Sequence, residues 1–161
     1  MDHLWSPWRY RYVSKKGPEQ NNAECIFCVK SAENSDKSNY ILHRAVENFV
    51  LLNLYPYTSG HLMIAPYAHV PMLAESTPAA LEEMMLLAQR AEHALRQVYN
   101  PKGFNIGLNI GESAGAGIAG HIHMHVLPRW PGDANFMTTI GETRVMPEDL
   151  ETTWAKLKEA F

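Results

Sequence analysis

Ten residues constrain this chain most: Gly120-His121-Ile122-His123-Met124-His125-Val126-Leu127-Pro128-Arg129. Three of the eight histidines stand here, each separated from the next by one bulky apolar residue. Alternate side chains of an extended strand share a face, so His121, His123 and His125 point one way. Ile122, Met124 and Val126 point the other way, into a core. A lone histidine is usually a surface group or a satisfied core residue. Three on one face are harder to bury without purpose, because each imidazole needs partners that a dry face does not supply. A single metal held by all three does not fit. At a rise of about 3.3 Å per residue, the α-carbons of His121 and His125 lie about 13 Å apart, so at most two of the three share an ion.

The run into this strand, Gly111-Glu112-Ser113-Ala114-Gly115-Ala116-Gly117-Ile118-Ala119-Gly120, holds four of the ten glycines and one charge. Glycine lets backbone approach a ligand closely, and successive N–H groups in such a loop form an anion-binding nest. A phosphate seated there would have an imidazole in line, which suggests nucleophilic catalysis at phosphorus. The middle histidine, His123, is the natural nucleophile, since neutral imidazole is competent near pH 7. It needs one nitrogen free and the other held by an acceptor such as a backbone carbonyl. Charge building on the phosphoryl oxygens would be met by N–H groups and neighbouring imidazoles.

With 161 residues and 46% hydrophobic side chains, the chain reads as one domain over 1–161 with an ordinary core. A net charge of −3 gives no broad positive field, so nucleic acid and anionic membrane are not expected partners. No apolar run approaches a membrane span and no signal-peptide core is visible, which makes the cytoplasm the default. There Cys25-Ile26-Phe27-Cys28 reads as metal or redox chemistry before it reads as a structural disulfide. The spacing is half a zinc site, with His69 and His121 as candidates to complete it. Empty thiols are the alternative. A thioredoxin-like role wants a βαβ context that is missing.

Residues 4–13, with two tryptophans and two arginines, read as a segment docked on the body or on a partner subunit, and 14–24 as loop. Strands are expected at Tyr40–Arg44, Phe49–Asn53 and His61–Pro66, joined antiparallel by short connections. Thr77-Pro78 starts a helix over 78–99 whose apolar face carries Leu81, Met84, Met85, Ala88, Ala91 and Leu95. Phe104–Ile110 is a fourth strand and the histidine run a fifth. Residues 129–136 read as loop. A C-terminal extension, 137–161, ends in a short helix with Leu150, Trp154 and Leu157 on one side. The sum is α+β: an antiparallel sheet of about five strands, one long helix and a short C-terminal helix.

These residues carry a family resemblance. His121-Ile122-His123-Met124-His125-Val126-Leu127 resembles the signature of the histidine triad (HIT) superfamily. Asn53 with Gly60-His61, and Leu127-Pro128-Arg129 with Gly132-Asp133, resemble its Fhit-like branch. Leu4-Trp5-Ser6-Pro7-Trp8-Arg9 with the cysteine pair resembles bacterial diadenosine tetraphosphate hydrolases or phosphorylases. The resemblance implies a HIT-like fold with sheets joined across a homodimer, and a nucleotide or dinucleoside polyphosphate substrate. It implies that His123 attacks the α-phosphorus and forms a nucleotidyl-histidine, released by water or inorganic phosphate. By the same resemblance, His125 and His61 support the phosphate, Asn53 meets the ribose and Asn109 lies near the phosphates. Cys25, Cys28, His69 and His121 would hold a structural Zn²⁺, with His121 shared between that site and the catalytic histidines, and Mg²⁺ or Mn²⁺ would accompany the substrate.

One departure bears on substrate choice. Many members carry Gly-Gln-Ser or Gly-Gln-Thr before the triad, where this chain has Gly115-Ala116-Gly117-Ile118. Contacts to phosphate and leaving group are then expected from Ser113, Gly117, backbone N–H groups or a metal ion, and Hint-like phosphoramidate hydrolysis is disfavoured. Two other readings compete: a nucleotide-binding sensor or adaptor, and a metallohydrolase with His121 and His123 on a catalytic metal.

Overall fold

The apolar runs between Tyr40 and Pro66, and two more beyond the long helix, become the strands of one sheet. The computed structural model describes residues 25–142 and 145–161. The docking segment expected at 4–13 and the loop at 14–24 lie outside the described residues. In chain order come helices α1 (Ile26–Ala32) and α2 (Asp36–Asn39), then strands β1 (Ile41–Arg44), β2 (Asn48–Leu52) and β3 (Leu62–Pro66). Helix α3 (Pro78–Tyr99), strands β4 (Gly103–Leu108) and β5 (Met124–Arg129), and helices α4 (Phe136–Thr139) and α5 (Leu150–Ala160) follow. The strands lie in the order β1-β2-β3-β5-β4, every neighbouring pair antiparallel. Among the described residues no helix is long and apolar enough to cross a membrane.

Both faces of the sheet are covered. Val50, Leu52, Leu62, Ile64, Met124 and Val126 pack with α3 and with Leu157 of α5. Phe49, Leu51, Met63 and Ala65 form a second layer with Cys25 and Phe27. This is why every position of β2 and β3 is buried. Strand alternation therefore sorts residues between two dry layers, and His125, opposite Met63 in the ladder, falls in the second.

Helix α3 begins and ends as its sequence expects. The Thr77 hydroxyl accepts from Ala80 N–H at 3.1 Å, Pro78 stands in the first turn, and Asn100 closes the helix in a left-handed conformation. Its buried face differs in part from the expected one. Leu87 and Ala94 are buried, Leu81 is half-buried, and Met85 is 59% exposed. The stripe through Met84, Ala88, Ala91 and Leu95 keeps the 3.6-residue period, and Met85 sits about 100° off it.

Two further boundaries moved. Cys25–Lys30, given no element from sequence, enters helix α1, and the polar stretch to Asn39 includes α2. The histidine strand opens at Met124, not at Gly120. Its β3 partner ends in Pro66, which has no N–H to continue the ladder, and the Pro66 carbonyl instead accepts from the His121 ring at 2.9 Å. His121 to His123 form an extended lead-in, tied down where Ile122 N–H meets the Val70 carbonyl at 2.7 Å.

The turn between β1 and β2 is clamped by Glu83 of α3. Its carboxylate accepts from Val46 N–H at 3.0 Å, from Glu47 and Asn48 N–H at 2.8 Å each, and from Asn48 Nδ2 at 2.9 Å. Burial pushes this carboxyl upward, but these donors outweigh it and hold it below its usual range. Glu83→Ala is expected to cost about 3 kcal/mol, because several amides lose a charged acceptor at once. A urea titration at neutral pH checks it. The loss should hold above the ordinary glutamate value of 4.5 and shrink as pH falls below it, because the wild-type carboxylate, held lower in the fold, then also takes up its proton.

Candidate functional site

Strand β5 and its lead-in set three imidazoles beside a fourth from the start of β3. His61, His121, His123 and His125 are all buried, the most exposed of them by only 9%. Phe27 of α1 covers two, with ring centroids 4.8 Å from His123 and 5.1 Å from His121. His123 and His125 meet edge to face at 4.9 Å.

Backbone groups set the protons. His123 Nδ1–H donates to the His121 carbonyl at 2.8 Å, which leaves the Nε2 lone pair available. His61 Nδ1 accepts from Tyr57 N–H at 3.2 Å, and the Asn53 amide nitrogen stands 3.3 Å away. An amide N–H can only donate, so the His61 proton sits on Nε2 and is given to His125 Nδ1 at 2.9 Å. His125 then carries its own proton on Nε2. One ring offers a lone pair and its neighbour offers a proton: the pairing that attack on a phosphoryl group requires.

All four rings are neutral at pH 7. Burial is the main cause, pushing His61 down to about 3 and His121 and His125 to about 4, with charge on neighbouring imidazoles adding to it. His123 is also lowered by burial, offset in part by its bond to the His121 carbonyl. The unfolded chain binds protons near pH 6.5 and the folded one does not, so stability falls as pH drops from 6.5 toward 4. His61 and His125 should each cost roughly 2 kcal/mol at pH 5. The urea midpoint should therefore hold above pH 7 and decline below 6.5, less steeply in His125→Gln.

The side chain of His121 belongs to another cluster. Cys25, Cys28, His69 and His121 bring four ligand atoms within 4.8 Å of one another. His121 Nδ1 lies 3.4 Å from Cys25 Sγ and 3.6 Å from Cys28 Sγ, and His69 Nδ1 lies 3.3 Å from Cys28 Sγ. Tetrahedral zinc with Zn–S of about 2.3 Å and Zn–N of about 2.0–2.1 Å needs S···N edges of about 3.5 Å. The donor set fits that ion. His121 Nε2–H is spent on the Pro66 carbonyl, which fixes Nδ1 as the ligating atom. Burial, with Cys25 adding to it, raises the Cys28 thiol to about 11, a state that a bound cation reverses. Both His121 nitrogens are thus committed, and none is left for a metal shared with His123.

The remaining expected residues are less tightly joined. Asn53 is bound to His61 through its side chain and, at 3.0 Å, through its N–H to the His61 carbonyl. Asn109 follows β4, half-buried, while Ser113 and Gly117 stand exposed in the loop. No hydrogen bond ties Asn109 or Ser113 to the histidines among the described residues. The loop also spends three amides on itself: Ala114 and Ala116 N–H donate to the Gly111 carbonyl, and Gly115 N–H donates to Glu112. Positive φ at Gly111 and Gly115 makes that turn possible. The expected anion nest narrows to the amides beyond it, toward the histidines.

Sequence reasoning missed Gly107 and Tyr57. Gly107 pairs with His125 across β4 and β5, and a side chain there would meet nothing within 4 Å, so the sheet beside His125 is open to a ligand. A glycine inside an alternating strand was the available signal. Tyr57 acts through its backbone amide and leaves no sequence pattern.

Residues 35–132 match the family model of the HIT domain. The chain is 39% identical over 157 residues to a protein named AP-4-A phosphorylase from Mycobacterium tuberculosis, covering 95% of this chain and 80% of that one. It is 28% identical over 93 residues to a bis(5'-nucleosyl)-tetraphosphatase (asymmetrical) of Schizosaccharomyces pombe, covering 58% and 50%. Its fold matches a Zn-bound histidine triad family protein from Mycobacterium smegmatis with a TM-score of 0.69 and 29% identity, covering 87% of this chain and 94% of that one.

Proposed function

The chain belongs to the HIT family, and from that premise we propose that it is an enzyme that cleaves dinucleoside polyphosphates at the α-phosphate through a nucleotidyl-His123 intermediate. The observation that carries this reading is the His123 ring, with Nδ1–H held by the His121 carbonyl and the Nε2 lone pair unspent. His123 Nε2 attacks phosphorus, an N–P bond forms, and the bond to the bridging oxygen breaks. The nucleoside polyphosphate departs with that electron pair. The positive charge arising on the imidazole is met by the His121 carbonyl. His125 Nε2–H donates to a phosphoryl oxygen, and His61 holds His125 in the tautomer that can do so. An acceptor oxygen then displaces His123 and releases the nucleotide. Asn53 meets the ribose, Asn109, Ser113 and Gly117 line the phosphates, and the substrate would bring Mg²⁺ or Mn²⁺ to offset its polyphosphate charge.

Zinc on Cys25, Cys28, His69 and His121 supplies no chemistry to the reaction; it fastens α1 to the lead-in of β5. Support comes from three S···N distances of 3.3–3.6 Å in the cluster and from the Zn-bound relative. In the same reading the sheets of two copies join through β4, an edge strand with Ile106 43% exposed. The protein works in the cytoplasm, where the unbridged cysteines stay reduced.

A second reading, phosphorolysis, is favoured by the 39%-identical relative. Turnover of diadenosine tetraphosphate with and without inorganic phosphate separates the two. ATP and AMP in phosphate-free buffer mark water as acceptor; ATP and ADP formed only with phosphate mark phosphorolysis. No cleavage in either buffer would sink both.

A further inference from the structure

Between the Tyr57–Ser59 turn, the loop after β5 and the segment before α5 lies a cavity of about 450 Å³. That is within the roughly 300–1,000 Å³ of small-molecule pockets. Three aromatic rings, Tyr57, Tyr99 and Trp130, contribute to its wall. Tyr57 is shared with the catalytic histidines: its ring lies 4.8 Å from His61 and 6.1 Å from His125, stacked on the latter at 27°. A second cavity of about 370 Å³, lined by His61, adjoins through Ser59, Met146 and Glu148.

The charges here are spent. Asp133 accepts from Nε and Nη2 of the Arg129 guanidinium, at 2.5 and 2.8 Å. Glu148 accepts from Tyr99 Oη, from Thr153 Oγ1 and from Lys156 Nζ. Each lining carboxylate is matched by a cation, Asp133 by Arg129 and Glu148 by Lys156, so the lining has no surplus positive charge to hold a polyphosphate. Aromatic faces with an amide from Asn135 and a hydroxyl from Thr138 suit a neutral, flat, polar heterocycle. Among the described lining residues one buried polar atom is left over. Ser59 Oγ is buried, has no hydrogen-bond partner among the described residues, and belongs to a residue lining both cavities.

We propose that this cavity binds the nucleoside at the far end of the substrate, the one that departs with the leaving polyphosphate. The proposal rests on the dinucleoside polyphosphate reading above. Its position beside His61 and His125 puts the occupant within one ring of the reacting groups. It predicts that recognition of the second nucleoside is separable from catalysis.

Two variants test it, Trp130→Ala and Ser59→Ala, each assayed on diadenosine tetraphosphate and on adenosine 5′-tetraphosphate, which lacks the second nucleoside. Losing one base–aromatic stack should raise KM for the dinucleotide about tenfold in Trp130→Ala. Its kcat, and both constants for the mononucleotide, should stay within about twofold. Ser59→Ala should raise the same KM several-fold at unchanged melting temperature, because its hydroxyl makes no bond within the fold. Calorimetric titration of adenosine into AMP-saturated protein should show a second site, weakened by both variants. Equal KM changes for the two nucleotides, or no second adenosine site, would overturn the proposal while leaving the cleavage reading standing. If the wild-type protein cleaves neither nucleotide, that parent reading fails and takes the leaving-group assignment with it, even where adenosine binds.

Discussion

His123→Ala is expected to lower kcat for diadenosine tetraphosphate by roughly 10⁴- to 10⁶-fold, the loss that follows deletion of a covalent nucleophile. KM should change little, because in this reading the ribose contact falls to Asn53 and not to the ring that attacks phosphorus. The fold should survive. Among the described residues the His123 side chain makes a single hydrogen bond, to the His121 carbonyl, and Phe27 can relax into the vacated space. His125→Gln should fall less far: it keeps a hydrogen-bond donor near the phosphoryl oxygens but loses the proton set by His61 and Tyr57. An order of kcat loss with His123→Ala far below His125→Gln is the kinetic mark of this division of labour. Steady-state kinetics with a matched melting temperature checks it.

Removal of the proposed zinc is the second large effect expected. Cys25→Ser, or chelation at neutral pH, should lower the melting temperature by about 10–15 °C, which for a chain of this size corresponds to roughly 4 kcal/mol. The four ligands join segments 41 to 96 residues apart, so losing the ion frees α1 and the lead-in of β5 together. Activity should fall in step with the unfolded fraction, and zinc added back to chelated protein should restore both. A catalytic metal would behave differently, with chelation stopping turnover before any change in melting.

Sheet and long helix were legible because their signals are local. Thr77-Pro78 and Asn100 bound α3, and apolar runs mark β2 and β3 even where both faces are buried. The cysteine cluster was legible in its residue types, since a C-x-x-C pair asks for two more ligands and His69 and His121 were at hand. How the histidines divide was legible only through the family resemblance; alternation alone does not separate them. His121 sends its ring to the cysteines and its carbonyl to His123, two roles that no spacing distinguishes. The His61 and His125 tautomers depend on a main-chain amide at Tyr57, and main-chain donors carry no residue signature. Helix α1 was missed for a simpler reason: seven residues with two buried side chains give no period to read. The cavity beside Tyr57 was equally invisible, assembled from Tyr57, Trp130 and Glu148, which only the closing of α5 onto the sheet brings together.

The most direct measurement is to trap the covalent species. Enzyme mixed with excess diadenosine tetraphosphate and quenched in alkali within milliseconds preserves a phosphoramidate, and digestion followed by mass spectrometry locates it. One adenylyl group on His123, appearing at a rate no slower than turnover and absent from His123→Ala, is the expected result. Full product release with unmodified His123 at every time point would contradict it, and would assign cleavage to direct attack of the acceptor on phosphorus.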